Sequence, residues 1–181
     1  WIMFTVPPRP GLVGDGPGTK VLKRSILMPG VMGVLVALFG WTVAHNMVYT
    51  YIQPLTSGVG IALGIDVVLL FFGISAGISI LLTAVVVDKR LFLTGLISGA
   101  LMLLGFLLLS VPAAPNYFFI SGIVVWGLGF GGAPTVLQTA LARNAVNLAD
   151  IAQSFFVTIF NFGVGIGGAL GGAISSLWGA S

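Results

Sequence analysis

The chain has 181 residues, 57% hydrophobic and 6% charged, with seven Lys and Arg, four Asp, no Glu and a formal net charge of +3. A composition this apolar exceeds what one soluble core of that size can hide, and it marks an integral membrane protein. The absence of Cys excludes disulfides and thiolate metal sites. One His and four Asp leave little material for a metal cage. The few basic residues sit at helix exits rather than in a ligand patch, so no cofactor, metal or nucleic acid is expected.

Trp1 to Val6 is a short apolar stub with no basic n-region or A-x-A site. It reads as the tail of a preceding hydrophobic segment, so further helices are expected upstream. Pro7 to Lys23 is rich in Pro and Gly and holds Arg9, Asp15, Lys20 and Lys23. Residues 1–27 are therefore assigned to the end of a preceding helix plus a linker at the membrane surface. The remainder, 28–181, reads as an all-α, polytopic membrane helix bundle. The first span covers about 28–51 and is closed by Gln53-Pro54. The second covers 67–87, about 31 Å of helix, close to a hydrocarbon core. The third and fourth, about 91–111 and 117–141, are divided where Pro112-Ala113-Ala114-Pro115-Asn116 ends one helix and begins another. The fifth runs over about 151–178, with Asp150 favoured at its N-terminus by the helix dipole. Its later part is so rich in Gly that packing must hold it helical.

Basic residues fall on one side of these spans. Arg9, Lys20, Lys23 and Arg24 precede the first, Lys89 and Arg90 join the second and third, and Arg143 joins the fourth and fifth. Residues 53–66 and 112–116 carry none. The asymmetry puts residues 7–25, 88–90 and 142–150 in the cytoplasm, and the odd number of spans leads to the expectation that a last helix is missing.

Inside the spans the polar residues form stripes. His45, the single side chain there that titrates near neutral pH, repeats with Trp41, Tyr49 and Gln53 at i, i+4 spacing. Such a face either lines a substrate cavity or holds a histidine bonded to a neighbouring helix, near an aromatic belt of Tyr49 and Tyr51. Pro134 lies in a glycine-rich run ahead of Thr135, Gln138 and Thr139, and frees a carbonyl that a cavity or polar group must satisfy. Ser154, Thr158 and Asn161 stripe the fifth span. Hydrogen bonding between helices accounts for any one stripe, whereas three converging stripes point to a pathway. The fifth span also carries Gly163-x-x-x-Gly167-x-x-x-Gly171, with Gly168-x-x-x-Gly172 beside it, a bare groove that admits a neighbouring backbone. No Asp lies within a span, so a carboxylate proton relay is not housed here. No nucleophile-base pair or phosphate loop supports an enzyme. Gly127 to Gly132 lacks the strand and acidic partner of a dinucleotide site.

The string from Gly163 to Gly172 resembles the G-x-x-x-G-P-x-x-G-G signature of antiporters in the major facilitator superfamily, with Gly168 at the proline position. Similar stretches run along the chain: His45 to Pro54, Leu70 to Gly73, Trp126 to Thr135, Leu137-Gln138 and Phe160 to Gly163. Together they look like helices seven to eleven of twelve-helix drug, sugar or nucleoside efflux permeases, five helices of a six-helix half. Asp88-Lys89-Arg90 stands where that superfamily has the loop latch G-x-x-x-D-R-x-G-R-R. Ala84 replaces the first glycine and Leu91-Phe92 the Gly-Arg part. A weakened latch and a plain stop signal both fit these residues.

The resemblance implies proton-coupled efflux of a small organic solute by alternating access in a bacterial inner membrane. Its partners would be membrane lipid, the solute, protons, and an absent N-terminal half that supplies the coupling carboxylate. On this reading His45, Asn46, Tyr49, Gln138 and Asn161 face the substrate path. Gly163, Gly167, Gly168, Gly171, Gly172 and Pro134 then serve packing and gating. The alternative is a non-transporting membrane scaffold that docks a partner helix on its glycine faces.

Overall fold

Pro29, Pro54 and Pro134 each stand in the first turn of a helix, where the N–H that proline lacks would have no partner in any case. The computed structural model describes residues 18, 27–58, 63–111, 115–145 and 148–178, and these contain helices and short connections without a strand. The expected linker over 1–27 lies outside the described residues except for Gly18 and Leu27, as do Pro112 to Ala114 of the turn between the third and fourth spans. The helices are α1 (Pro29–Thr50), α2 (Ile52–Gly58), α3 (Ile65–Leu109), α4 (Asn116–Gly131), α5 (Ala133–Asn144) and α6 (Ala149–Trp178). Four stretches are long and apolar enough to cross a membrane: α1, α3, α4 with α5, and α6. The protein is a polytopic membrane helix bundle.

Three boundaries differ from the sequence reading. The first span does not give way to a loop at Gln53-Pro54, because after Tyr51 (φ −111°, ψ 20°) the chain turns into α2. There Thr56 Oγ1 donates to the Ile52 carbonyl and Ser57 Oγ to that of Gln53 at 3.1 Å. The fourth span divides at Gly132 into α4 and α5.

The third difference is α3, whose 45 residues would reach about 67 Å if straight, twice the hydrocarbon thickness. At Arg90 the backbone leaves the helical region (φ −139°, ψ 46°). Contacts with α4 fix the direction of each arm on either side of that residue. Gly127, Gly131 and Gly132 lie against Phe72 and Ser75, Ala76, and Thr83 in turn, so the first arm of α3 runs parallel to α4. Gly122, Trp126 and Gly129 meet Leu109, Gly105 and Met102, so the second arm runs the other way. The element is a hairpin of two spans, and the loop expected over Asp88 to Arg90 is reduced to a single non-helical residue.

In lipid, helices gain little from burying apolar surface, and close backbone contact decides how they pair. The closest pairs are α3 with α4 and α1 with α6, and α5 packs on α3, α1 and α6. Gly163, Gly167 and Gly171 meet Thr42, Asn46 and Tyr51 in rising order, so α1 and α6 are parallel. Ile52, which opens α2 just past the end of α1, shares a core with Val68 and Phe119 at the starts of α3 and α4, so the two parallel pairs run in opposite directions. A second core joins Val31, Leu35, Leu137, Leu141 and Phe156. Leu81, Val85 and Phe92 point outward, as a lipid-facing surface requires. One end of the bundle gathers Asp88, Lys89, Arg90 and Arg143, with Gly30 against Asn144, so the described basic residues share one end.

Candidate functional site

The i, i+4 face of α1 delivers His45 and Tyr49 into an aromatic cluster with Phe72 of α3 and Trp126 and Phe130 of α4. His45 is 7% exposed, and its ring lies flat on Phe130 (centroids 3.4 Å apart, planes at 6°). It stacks on Tyr49 at 5.2 Å and lies 5.3 Å from Trp126 and 5.8 Å from Phe72. Phe72 and Trp126 are 4.7 Å apart, and Phe106 adds a tilted ring 5.7 Å from Trp126. Each such pair contributes about 0.5–1.5 kcal/mol beyond the area it buries, so the cluster ties α1 to both neighbours. Nδ1 of His45 is buried without a partner among the described residues, as are Nε1 of Trp41 and of Trp126. The ring is held by stacking. Tyr49 forms the outer rim at 40% exposure.

The remaining members of the expected path lie elsewhere. Asn46 turns into the α1–α6 seam, where Nδ2 donates to the Thr42 carbonyl at 2.9 Å and Cβ abuts Gly167. Asn161 is exposed on α6, and its Nδ2 donates to the Val157 carbonyl at 2.8 Å. Ser154 and Thr158 turn back to Ile151 and Ser154 in the same way, which leaves this stripe on a face that no described helix covers. Gln138 is exposed on α5, beside the buried Leu137. The seam register sets Asn161 about 8 Å along the bundle from His45. The structure thus brings His45 and Tyr49 together and leaves Asn46, Gln138 and Asn161 on separate faces.

The glycine string of α6 divides in the same manner. A Cβ on Gly163 would stand 2.9 Å from Thr42 Cβ, one on Gly167 2.7 Å from the Val43 carbonyl, and one on Gly171 2.8 Å from the Met47 carbonyl. These three form the seam, and Gly172 abuts the Tyr51 hydroxyl. Gly168 does not belong to it: its nearest neighbour is Thr50 Oγ1 at 3.9 Å, because a fourth residue in the string falls on the next face of the helix.

A second seam was not anticipated. Gly127, Gly131 and Gly132 of α4 press on Ser75, Ala76, Ser79 and Thr83 of the first arm of α3. The signal was available, since Ser75-x-x-x-Ser79-x-x-x-Thr83 faces Gly127-x-x-x-Gly131 in the same small-residue rhythm. Within it, Ser79 Oγ donates to the Leu128 carbonyl at 2.6 Å and accepts from the Gly132 N–H at 3.1 Å. Those two groups would bond each other in an unbroken helix, so the hydroxyl is inserted into the ladder one turn before Pro134. The sequence points to Pro134 and its i−4 carbonyl, Phe130; the opening of the ladder two residues earlier, between Leu128 and Gly132, is filled from α3.

At the charged end, Arg143 Nη2 donates to the Asp88 carbonyl at 2.9 Å and to Asp88 Oδ1 at 3.2 Å, a cross-strap from the end of α5 to the α3 hairpin. Lys89 and Arg90 are exposed. The latch candidate therefore includes Arg143, which the sequence showed only as a topology signal.

Fold, seams and oppositely directed helix pairs define the class, a multi-pass membrane protein made of close-packed helices. No protein-family model matches the chain, and no solved structure matches it. The chain is similar to the purine ribonucleoside efflux pump NepI of Escherichia coli strain K12, with 27% identity over 177 residues that cover 95% of this chain and 43% of the pump. NepI of Shigella flexneri has the same identity and coverage, and that of Shigella dysenteriae serotype 1 is 27% identical over 95% of this chain and 44% of its own length. The chain spans less than half the length of the curated relatives it matches, and these are pumps rather than enzymes.

Proposed function

We propose that this chain is part of a secondary active efflux transporter of the major-facilitator type, resident in a bacterial inner membrane and moving a small organic solute outward by alternating access. The observation that carries the reading is the pair of seamed parallel helix pairs, α1 with α6 and α4 with the first arm of α3, running in opposite directions. Helix groups of opposite direction flank the central site in transporters built from inverted repeats, which supports the reading. The similarity to a purine ribonucleoside efflux pump makes a nucleoside or another planar, polar solute the first candidate. Tyr49, Gln138 and Asn161 offer stacking and hydrogen bonds on open faces, where polar side chains in a membrane call for a cavity. His45 and Asn46 stand behind them, and a solute reaches the His45 ring only when Tyr49 or Phe130 moves. The glycine seams of α6 and α4, with Pro134, allow helices to rock at close contact, and Asp88, Lys89 and Arg90 with Arg143 form a latch on the cytoplasmic side. Inward proton flow supplies the energy, through a carboxylate in the rest of the transporter.

The scaffold alternative is less well supported, because α1 already fills the Gly163, Gly167 and Gly171 face and α3 the Gly127 and Gly131 face, which leaves only Gly165 and Gly168 open to a partner among the α6 glycines from Gly163 to Gly172. The test is uptake of labelled nucleosides into everted vesicles that carry the full-length protein, with the lumen made acid, because everted vesicles turn cellular export into uptake. Tyr49→Ala combined with Asn161→Ala is expected to raise KM with intact membrane insertion. Wild-type protein that moves no solute in response to the gradient refutes transport, and export unchanged in the double variant refutes the site.

A further inference from the structure

The hairpin turn of α3 carries two cations that no described carboxylate answers. Arg143 takes up Asp88 through both its carboxylate and its main-chain carbonyl, and it is the ion pair found among the described residues. Asp150, the other acid at this end, opens α6 and forms none among the described residues. Lys89 and Arg90 stand exposed at the tip, so Asp88, Lys89, Arg90 and Arg143 together leave a net charge of +2. Immediately beyond Arg90 begins a groove of about 300 Å³ between α1, the second arm of α3 and α5, with a wholly apolar wall that includes Ala37, Trp41, Leu91, Leu96, Leu137 and Ala140. It runs about 8 Å inward from Leu91 to Leu96. Its volume stands at the lower bound of ligand sites, about 300–1,000 Å³.

We propose that this end of the protein binds one anionic glycerophospholipid, with the phosphate against Lys89 and Arg90 and the first part of an acyl chain in the groove. A guanidinium fork matches a phosphate in two-point geometry, and the ammonium beside it adds a mobile point charge. The groove offers nothing to a polar ligand, and the cations offer nothing to a purely apolar one, so an occupant must be anionic at one end and aliphatic at the other. A zwitterionic lipid brings its own cation to a site already positive and is disfavoured. An apolar helix would fill the groove but leave the two cations unanswered. Basic pockets between membrane helices on the cytoplasmic side select anionic headgroups on the same grounds.

The experiment is native mass spectrometry of the full-length protein released from detergent, with phosphatidylglycerol or phosphatidylcholine of identical chains and with glycerol phosphate as headgroup competitor. The wild type is expected to retain phosphatidylglycerol about tenfold or more over phosphatidylcholine. Lys89→Ala with Arg90→Ala is expected to equalise the two lipids, and Ala140→Phe to lower retention of both by filling the groove. If Ala140→Phe does not fold, Leu96→Trp on the exposed wall replaces it. Equal retention of the two lipids by the wild type overturns the site. So does displacement of the lipid by glycerol phosphate at matched concentration, because the groove then contributes nothing. Retention unaffected by groove filling overturns it too, as expected if another helix covers the groove.

Discussion

Replacing Ser79 by Ala tests how the α4–α5 joint is held. The hydroxyl makes two bonds, 2.6 Å to the Leu128 carbonyl and 3.1 Å from the Gly132 N–H, and its loss takes this partner from a half-buried carbonyl and a buried N–H. They are i, i+4 partners and would cancel each other's cost if the helix could close. Closure is opposed, because a straight helix drives the Pro134 ring against the Phe130 carbonyl. A buried orphan group costs about 1–3 kcal/mol, while side-chain bonds between membrane helices average about 0.6 and reach about 1.7 kcal/mol. The expected loss for Ser79→Ala is therefore about 1–2 kcal/mol, a shift of about 5- to 30-fold in the folding equilibrium. Reversible unfolding of the full-length protein in mixed micelles measures it. Pro134→Ala restores an N–H and removes the ring, so in the double variant Ser79→Ala with Pro134→Ala the ladder closes and most of the loss returns. The two substitutions are then strongly non-additive. A change below about 0.3 kcal/mol for Ser79→Ala, or additive losses in the double variant, would refute the inserted-hydroxyl account.

Gly167→Leu should be among the most damaging changes, because backbone and side chain of α1 stand 2.7 and 2.8 Å from its first added atom. Overpacking costs about 1–3 kcal/mol, while Gly165→Ala, with nothing within 4 Å, should stay within about 0.5 kcal/mol, both read as the folded fraction after detergent extraction. His45→Phe keeps the stack on Phe130 and removes an unpartnered nitrogen, so it should match or exceed the wild type in thermal stability, whereas His45→Ala should fall by about 2 kcal/mol or more. A lower melting temperature for His45→Phe would mean that Nδ1 has a partner in the folded protein. Arg143→Ala should change stability by less than about 1 kcal/mol, since the pair is solvent-exposed, and Asp88→Asn should do less still, since the bond to the main-chain carbonyl survives. An effect of Asp88→Asn larger than that of Arg143→Ala in the same unfolding assay contradicts the strap geometry.

The parts of the fold carried by short-range rules were legible in the sequence. Spans, their order and the gathering of Lys89, Arg90 and Arg143 at one end follow from lengths, prolines and charges. The Gly163, Gly167, Gly171 seam followed from spacing on one helix. What could not be read depended on register between distant segments. Trp41, His45 and Tyr49 were visible as one face, but whether it meets a cavity or other rings rests on Phe72, Trp126 and Phe130, brought in by α3 and α4. Ser79 meets Leu128 and Gly132 across 49 and 53 positions, and Arg143 meets Asp88 across 55. No periodicity within a helix encodes such pairs. Gly168 shows a simpler limit: in a string this dense in glycine, spacing alone does not say which residues face α1.

The single-residue turn at Arg90 bears on how the protein is made. Two spans joined with no slack leave the second no room to lie away from the bilayer once the first is seated, so the two are expected to enter in close succession, with the charged tip of Asp88, Lys89 and Arg90 held on the side from which they came. A few polar residues added between Arg90 and Leu91 would uncouple the arms and let the second wait for the first. Such an insertion would register during synthesis, as a change in the fraction of chains correctly threaded, before any effect on the folded protein could be seen.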